Sequence, residues 1–166
     1  MLALKPLSRE AIPAALAKAE RYRLLNQPWQ AESICHDILA VEPGNRDARV
    51  TLVLALTDQF RQGISQNEAL EAVGVLADEY DRRYYTGIVH ERRALALFRQ
   101  TDFRSPDAVY LLIEHAMEWY EKAQALRPVG NDDPLLRWNA CARFLHRFRH
   151  LRPTEREGQL EPVLSD

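Results

Sequence analysis

Ala31, Cys35, Ile38 and Pro43 are separated by four, three and five residues, and Ala116, Tyr120, Ala123 and Pro128 repeat those intervals further along the chain. A small residue, two further positions on the same helical face and then a proline is how a two-helix repeat unit ends. Each proline closes a run rich in helix formers, Glu32 to Glu42 and Glu114 to Arg127. Proline has no N–H to donate and its ring clashes with the preceding turn, so the helices stop there. The pattern predicts an all-α chain of stacked helix pairs whose residues specify a scaffold.

Around Pro43 the pattern lengthens. The run from Ala19 to Asn45 carries a small residue and an aromatic on one helix (Ala19, Tyr22), a short polar turn through Asn26, Gln27 and Pro28, then Ala31 and a Pro-x-Asn ending at Pro43 and Asn45. This segment resembles the tetratricopeptide repeat, with Cys35 smaller and Ile38 larger than that family prefers. The resemblance implies a stack of antiparallel helix pairs, in which small side chains let the two helices of a unit approach and the aromatic fills the space beside them. It also implies that the first helices of successive units line a concave groove.

The spacing from Pro43 to Pro128 exceeds two units of about 34 residues by about 17. With Ala69 as the small residue of a middle unit, followed by Val73 and Leu76, the excess divides into about 4 and about 13. The units are therefore irregular: a slightly long turn near Arg61 to Gln66, and a larger insertion between Asp81 and Leu112. Units at about 12–45, 46–81 and 82–130, a capping helix at 134–151 and an acidic tail at 153–166 make one domain over 1–152.

Seven helices are expected. The first begins near Ser8 or just before Pro13 and ends at Asn26; the second covers about Trp29 to Val41 and the third about Asp47 to Gln62, stopped by Gly63. The third is apolar around most of its circumference at Val50, Leu52, Val53, Leu54 and Leu56, which places it in the middle of the stack. The fourth and fifth span about Asn67 to Tyr80 and Tyr84 to Gln100. Ser105-Pro106-Asp107 combines a capping hydroxyl, a proline at the first helical position and an acid in the first turn, so it opens a long helix to Arg127. Its first turns, Asp107 to Ile113, are expected to project beyond the stack or pack on the insertion. The seventh runs from Asp133-Pro134 to about Leu151. Its apolar residues, Leu135 to Leu151, cover more than half its circumference, so either Leu160, Val163 and Leu164 of the tail or a second subunit is expected to cover it; the chain is read as a monomer or homodimer.

A chain of 166 residues with 46% hydrophobic and 28% charged residues is ordinary for a globular domain with a real core. A net charge of -2 argues against a generally basic nucleic-acid surface. No run reaches about 18 apolar residues, so no membrane span is expected. Met1 to Lys5 is too short an apolar run to read as a signal peptide, and a cytoplasmic location follows by default.

Catalytic and metal motifs are thin, and neither an enzyme nor a cofactor is expected. His90-Glu91 opens like a zinc-protease motif, but Ala94 stands where the second histidine belongs. Cys35 and Cys141 read as small buried hydrophobes in a reducing compartment. No Gly-x-Gly-x-x-Gly or Walker pattern occurs. Tyr80, Tyr84 and Tyr85, interleaved with Arg82 and Arg83, read as residues packed between helices rather than as a base-stacking platform.

Two functions are weighed. The resemblance implies a non-enzymatic adaptor or chaperone-like binder holding a partner peptide or helix in a groove lined, by helix phase, by Leu16, Glu20, Arg23, Val50, Leu54, Asp58, Glu91 and Leu95. A clamp for a terminal carboxylate is disfavoured, because Glu20 and Asp58 bring negative charge. The alternative is a module for an acidic partner or nucleic acid on the last helix, where Arg143, His146, Arg147 and His150 form one basic stripe. Cations are favoured at that helix end in any case, and the acidic tail offers internal neutralisation.

Overall fold

The computed structural model describes residues 2–100 and 105–153. Among them lie seven α-helices: α1 (Ile12–Leu24), α2 (Pro28–Val41), α3 (Arg46–Asp58), α4 (Gln66–Gly74), α5 (Glu79–Phe98), α6 (Pro106–Gln124) and α7 (Asp133–Arg147), with 3-10 turns at Arg9–Ala11 and Arg149–Leu151. No strand occurs among the described residues, so the expected all-α class holds. Short turns make sequence neighbours into spatial neighbours, and α3 additionally touches α1 on one side and α5 on the other. That central position is what its nearly continuous apolar surface demands; Ala48, Val53, Ala55 and Leu56 are buried.

Local chemistry sets the ends. Pro28, Pro106 and Pro134 sit in the first turns of α2, α6 and α7, where a missing N–H costs nothing. Asn45 caps α3 by accepting from the Ala48 amide at 2.9 Å. Ser65 and Glu68 form a reciprocal capping box on α4, satisfying two otherwise orphaned amides.

The boundary between α4 and α5 differs from expectation. The helix predicted to reach Tyr80 stops at Gly74, and α5 starts at Glu79 instead of Tyr84. The cause is Asp78, whose carboxylate accepts from the Asp81 amide at 3.0 Å and nucleates α5 there. Asp81 to Arg83, between the two predicted helices, thus belong to the first turns of a twenty-residue helix. There Tyr84 stacks on Tyr80 at 5.8 Å and meets Tyr120 at 5.9 Å, so these rings pack together. Asp81, almost wholly buried, receives a bidentate pair from Arg46 at 2.6 and 2.7 Å, fastening α3 to α5.

Both repeats of the small-residue pattern are interior. Ala31, Cys35 and Ile38 on α2 and Ala116, Tyr120 and Ala123 on α6 have no accessible surface, and Ala69, Val73 and Leu76 are at most 3% exposed. Ala116→Leu is expected to overpack this contact and lower the unfolding free energy by about 1–3 kcal/mol in urea titration. An unchanged midpoint would show that α6 tolerates a larger residue where it meets its neighbours.

The first turns of α6 do not project. Val109 and Ile113 are buried in a cluster with Ile88, Ala94 and Leu151, against the extended part of α5. The helix predicted to run to Leu151 ends at Arg147, because Phe148 leaves the helical conformation at φ -112, ψ 58. The turn that follows folds Leu151 into the core, while Phe98, Phe144 and Phe148 form a tilted and edge-on trio 4.7 to 5.2 Å apart. Such contacts add about 0.5–1.5 kcal/mol each beyond burial. α6, the Phe98 ring of α5 and the chain's own turn thus meet the apolar face of α7, while Leu135 and Leu136 stay exposed. The tail residues Leu160, Val163 and Leu164, expected to cover it, lie outside the described residues.

Candidate functional site

Helices α1, α3 and α5 end beside one another, at Leu24, Asp58 and Phe98. Asn26 at φ 58 turns the chain away after α1, and Gly63 at φ 108 does so after α3; the latter conformation suits glycine because it lacks a Cβ. Between the three ends opens a cleft of about 400 Å³. Arg23, Arg61, Arg92 and Arg99 supply its cations, Asp58 its one carboxylate, and Leu24, Phe60, Leu95 and Ala96 its apolar walls.

Asp58 is the hub. Its Oδ2 accepts from Arg23 Nε at 2.8 Å and its Oδ1 from Arg92 Nη1 at 2.5 Å, joining α1, α3 and α5 through one carboxylate. Arg92 Nη1 also donates to Thr57 Oγ1 at 2.9 Å, and the Thr57 hydroxyl donates to the Leu54 carbonyl at 2.8 Å. Burial pulls the Arg92 guanidinium below its ordinary value, Asp58 opposes that effect and Arg23 adds to it. Four guanidiniums against one carboxylate leave the cleft positive. The expectation that Asp58 makes the groove negative is overturned here, because two arginines neutralise it. The side chains of Arg61 and Arg99, both exposed, form no hydrogen bond or ion pair among the described residues. Helix dipoles favour cations at carboxy-terminal ends, which accounts for Arg23 and Arg99. It does not account for Arg92, which lies well inside α5.

Of the eight residues predicted to line a groove, Arg23, Asp58 and Leu95 line this cleft. Leu16, Val50 and Leu54 are half-buried, each packed against a separate core cluster. Glu20 is exposed on α1. Glu91 is buried rather than open: it accepts from the Tyr120 hydroxyl at 2.5 Å and from Arg137 Nη1 at 3.3 Å, tying α5 to α6 and α7. Burial first, and the Glu91 charge second, push the Tyr120 hydroxyl far above its ordinary value. Arg92, one position on, faces the cleft together with Leu95, Ala96 and Arg99. A single step is about 100° around a helix, enough to exchange an interior carboxylate for a cleft cation.

Arg143, His146, Arg147 and His150 are all exposed, but they do not form one helical stripe. α7 ends at Arg147, so His150 sits on the 3-10 turn. The Arg147 guanidinium lies 5.5 Å over the Phe148 ring. His146 shares a groove with Glu114, Glu118 and Glu121 of α6, so its neighbours already include negative charge.

Both cysteines are buried. Burial pushes the Cys35 and Cys141 thiols up to about 12, which leaves them protonated and unreactive. Gln66 donates its amide N–H to His90 Nδ1 at 3.0 Å, and His115 meets the His90 ring edge-on at 5.6 Å. Burial and His115 lower the His90 pKa while Glu118 opposes them. Among the described residues no three His, Cys, Asp or Glu side chains come together to hold a metal ion. No described helix is long and apolar enough to cross a membrane.

Arg61, Arg92, Arg99 and Phe60 escaped the sequence-based groove. A signal was present, since Arg92, Leu95, Ala96 and Arg99 follow the spacing of one helical face. Compared with known proteins, this chain matches no family model, no curated protein and no solved structure.

Proposed function

We propose that this chain is a non-catalytic interaction scaffold, built of tetratricopeptide-like helix pairs, that holds a peptide or helix of a protein partner against the face made by α1, α3 and α5. The observation that carries this reading is the cleft where those three helices end, organised by the Arg23–Asp58–Arg92 bridge. The continuous contact of α1 with α3 and of α3 with α5 supports it, as do the buried small-residue triads beginning at Ala31, Ala69 and Ala116. In such a stack the first helices of each pair form one surface, and a mixture of apolar and charged groups on it suits a peptide or partner helix.

Photo-crosslinking tests the surface. A benzophenone side chain placed at Glu20 or Leu95 is expected to trap a protein partner in cell extract, and one at Ser33 or Glu71, exposed on α2 and α4, is not. Crosslinks confined to α2 and α4, or to Arg143 and Arg147 on α7, would move the site away from this face.

A further inference from the structure

We propose that the arginine cleft recognises an acidic peptide segment, one with two side-chain carboxylates flanking an apolar residue; this rests on the reading of the α1, α3 and α5 face as the binding surface.

The donor inventory leads there. Both oxygens of Asp58 are engaged, by Arg23 Nε and Arg92 Nη1. The two Nη atoms of Arg23, the Nε and Nη2 of Arg92 and the whole guanidiniums of Arg61 and Arg99 make no hydrogen bond among the described residues. Each guanidinium presents a planar fork matched to a carboxylate, so two carboxylates let Arg61 and Arg99 each form a bidentate pair, where a single one would be shared between them as Asp58 is. Arg92 needs no reorganisation on binding, because Thr57 and Asp58 already fix its Nη1. That lowers the ordering cost of association.

The walls select the class of ligand. Leu24 is 88% exposed at the cleft edge beside Leu95 and Ala96, a place for an apolar side chain between the carboxylates. A nucleic acid would need a continuous basic track and rings on which bases stack. Phe60, the one aromatic of the cleft, is only 4% exposed, and the chain carries a net charge of -2.

The test uses the full chain and three fluorescein-labelled probes in anisotropy titrations. One is the peptide Gly-Asp-Leu-Glu-Gly with both ends blocked, another is its Asn/Gln counterpart, and the third is a twelve-nucleotide single-stranded RNA. The acidic peptide is expected to bind, and its counterpart to bind about tenfold or more weakly, the scale of one lost charge-assisted pair. Arg61→Gln with Arg99→Gln is expected to weaken the acidic peptide by a similar factor while melting temperature and helical circular dichroism stay unchanged, since both side chains are exposed and unpaired.

Equal binding of the two peptides overturns the acidic preference and leaves the face itself standing. An acidic peptide that binds undiminished to the double variant sits elsewhere and overturns the site. RNA binding that exceeds the peptide and is lost in the double variant replaces the proposal with a nucleic-acid site. No binding of any probe up to millimolar concentration overturns it outright, and crosslinking from Glu20 and Leu95 then decides separately whether the face binds protein.

Discussion

Gly87→Val is expected to lower the unfolding free energy by about 3 kcal/mol, at the upper end of the range for overpacked cores. A Cβ added at Gly87 would lie 2.5 Å from Tyr120 Cε1 and 2.7 Å from its Cδ1. Those are atoms of a ring with no accessible surface, whose hydroxyl is tied to Glu91 and which meets the Tyr84 ring at a tilt. The ring has nowhere to retreat without opening the contact between α5 and α6. Glycine inside a helix costs about 1 kcal/mol against alanine, so a stabilised Gly87→Val would mean that propensity outweighs the clash and that the helices separate easily. Urea unfolding followed by circular dichroism reads the difference directly.

Arg137→Leu is expected to cost about 3 kcal/mol by leaving the buried Glu91 carboxylate with only the Tyr120 hydroxyl as a hydrogen-bond donor. Removing one partner of a buried pair costs about 3–5 kcal/mol, and the lower end applies because the Arg137 side chain is 40% exposed while that of Glu91 is 9% exposed. Because Arg137 reaches from α7 to Glu91 on α5, the loss falls on the docking of α7 against α5. Combining Arg137→Leu with Glu91→Gln removes the stranded charge and is expected to restore a large part of the stability. A double variant no better than Arg137→Leu alone would show that lost packing of the arginine stem, not the uncompensated carboxylate, sets the cost.

These two sites show which parts of the architecture were legible. The interval pattern picked out Tyr120 as a repeat position, and its burial agrees; what Tyr120 packs against was missed. Gly87 lies inside the predicted fifth helix, and a glycine there asks for a packing reason. At the matching interval of the first pattern stands Cys35, clustered with Ala19. The larger ring on α6 is accommodated by the smaller residue on α5, a compensation between segments far apart in sequence that no local window displays.

The sequence by itself determined the helical class, the number of helices, most of their ends and the residues of α2 and α6 that turn inward, because proline, capping side chains and helical periodicity act over a few residues. Tertiary structure alone decided which carboxylate is enclosed in the core and which is neutralised beside the cleft. Glu91 and Arg92 are adjacent in the chain, yet one closes an interior network with Tyr120 and Arg137 and the other fixes Asp58 across a cleft. That distinction depends on the rotation of α5 against α3 and α6, which packing sets: Gly87 seats on Tyr120 and Arg46 grips Asp81, and every other side chain of the helix is aimed accordingly.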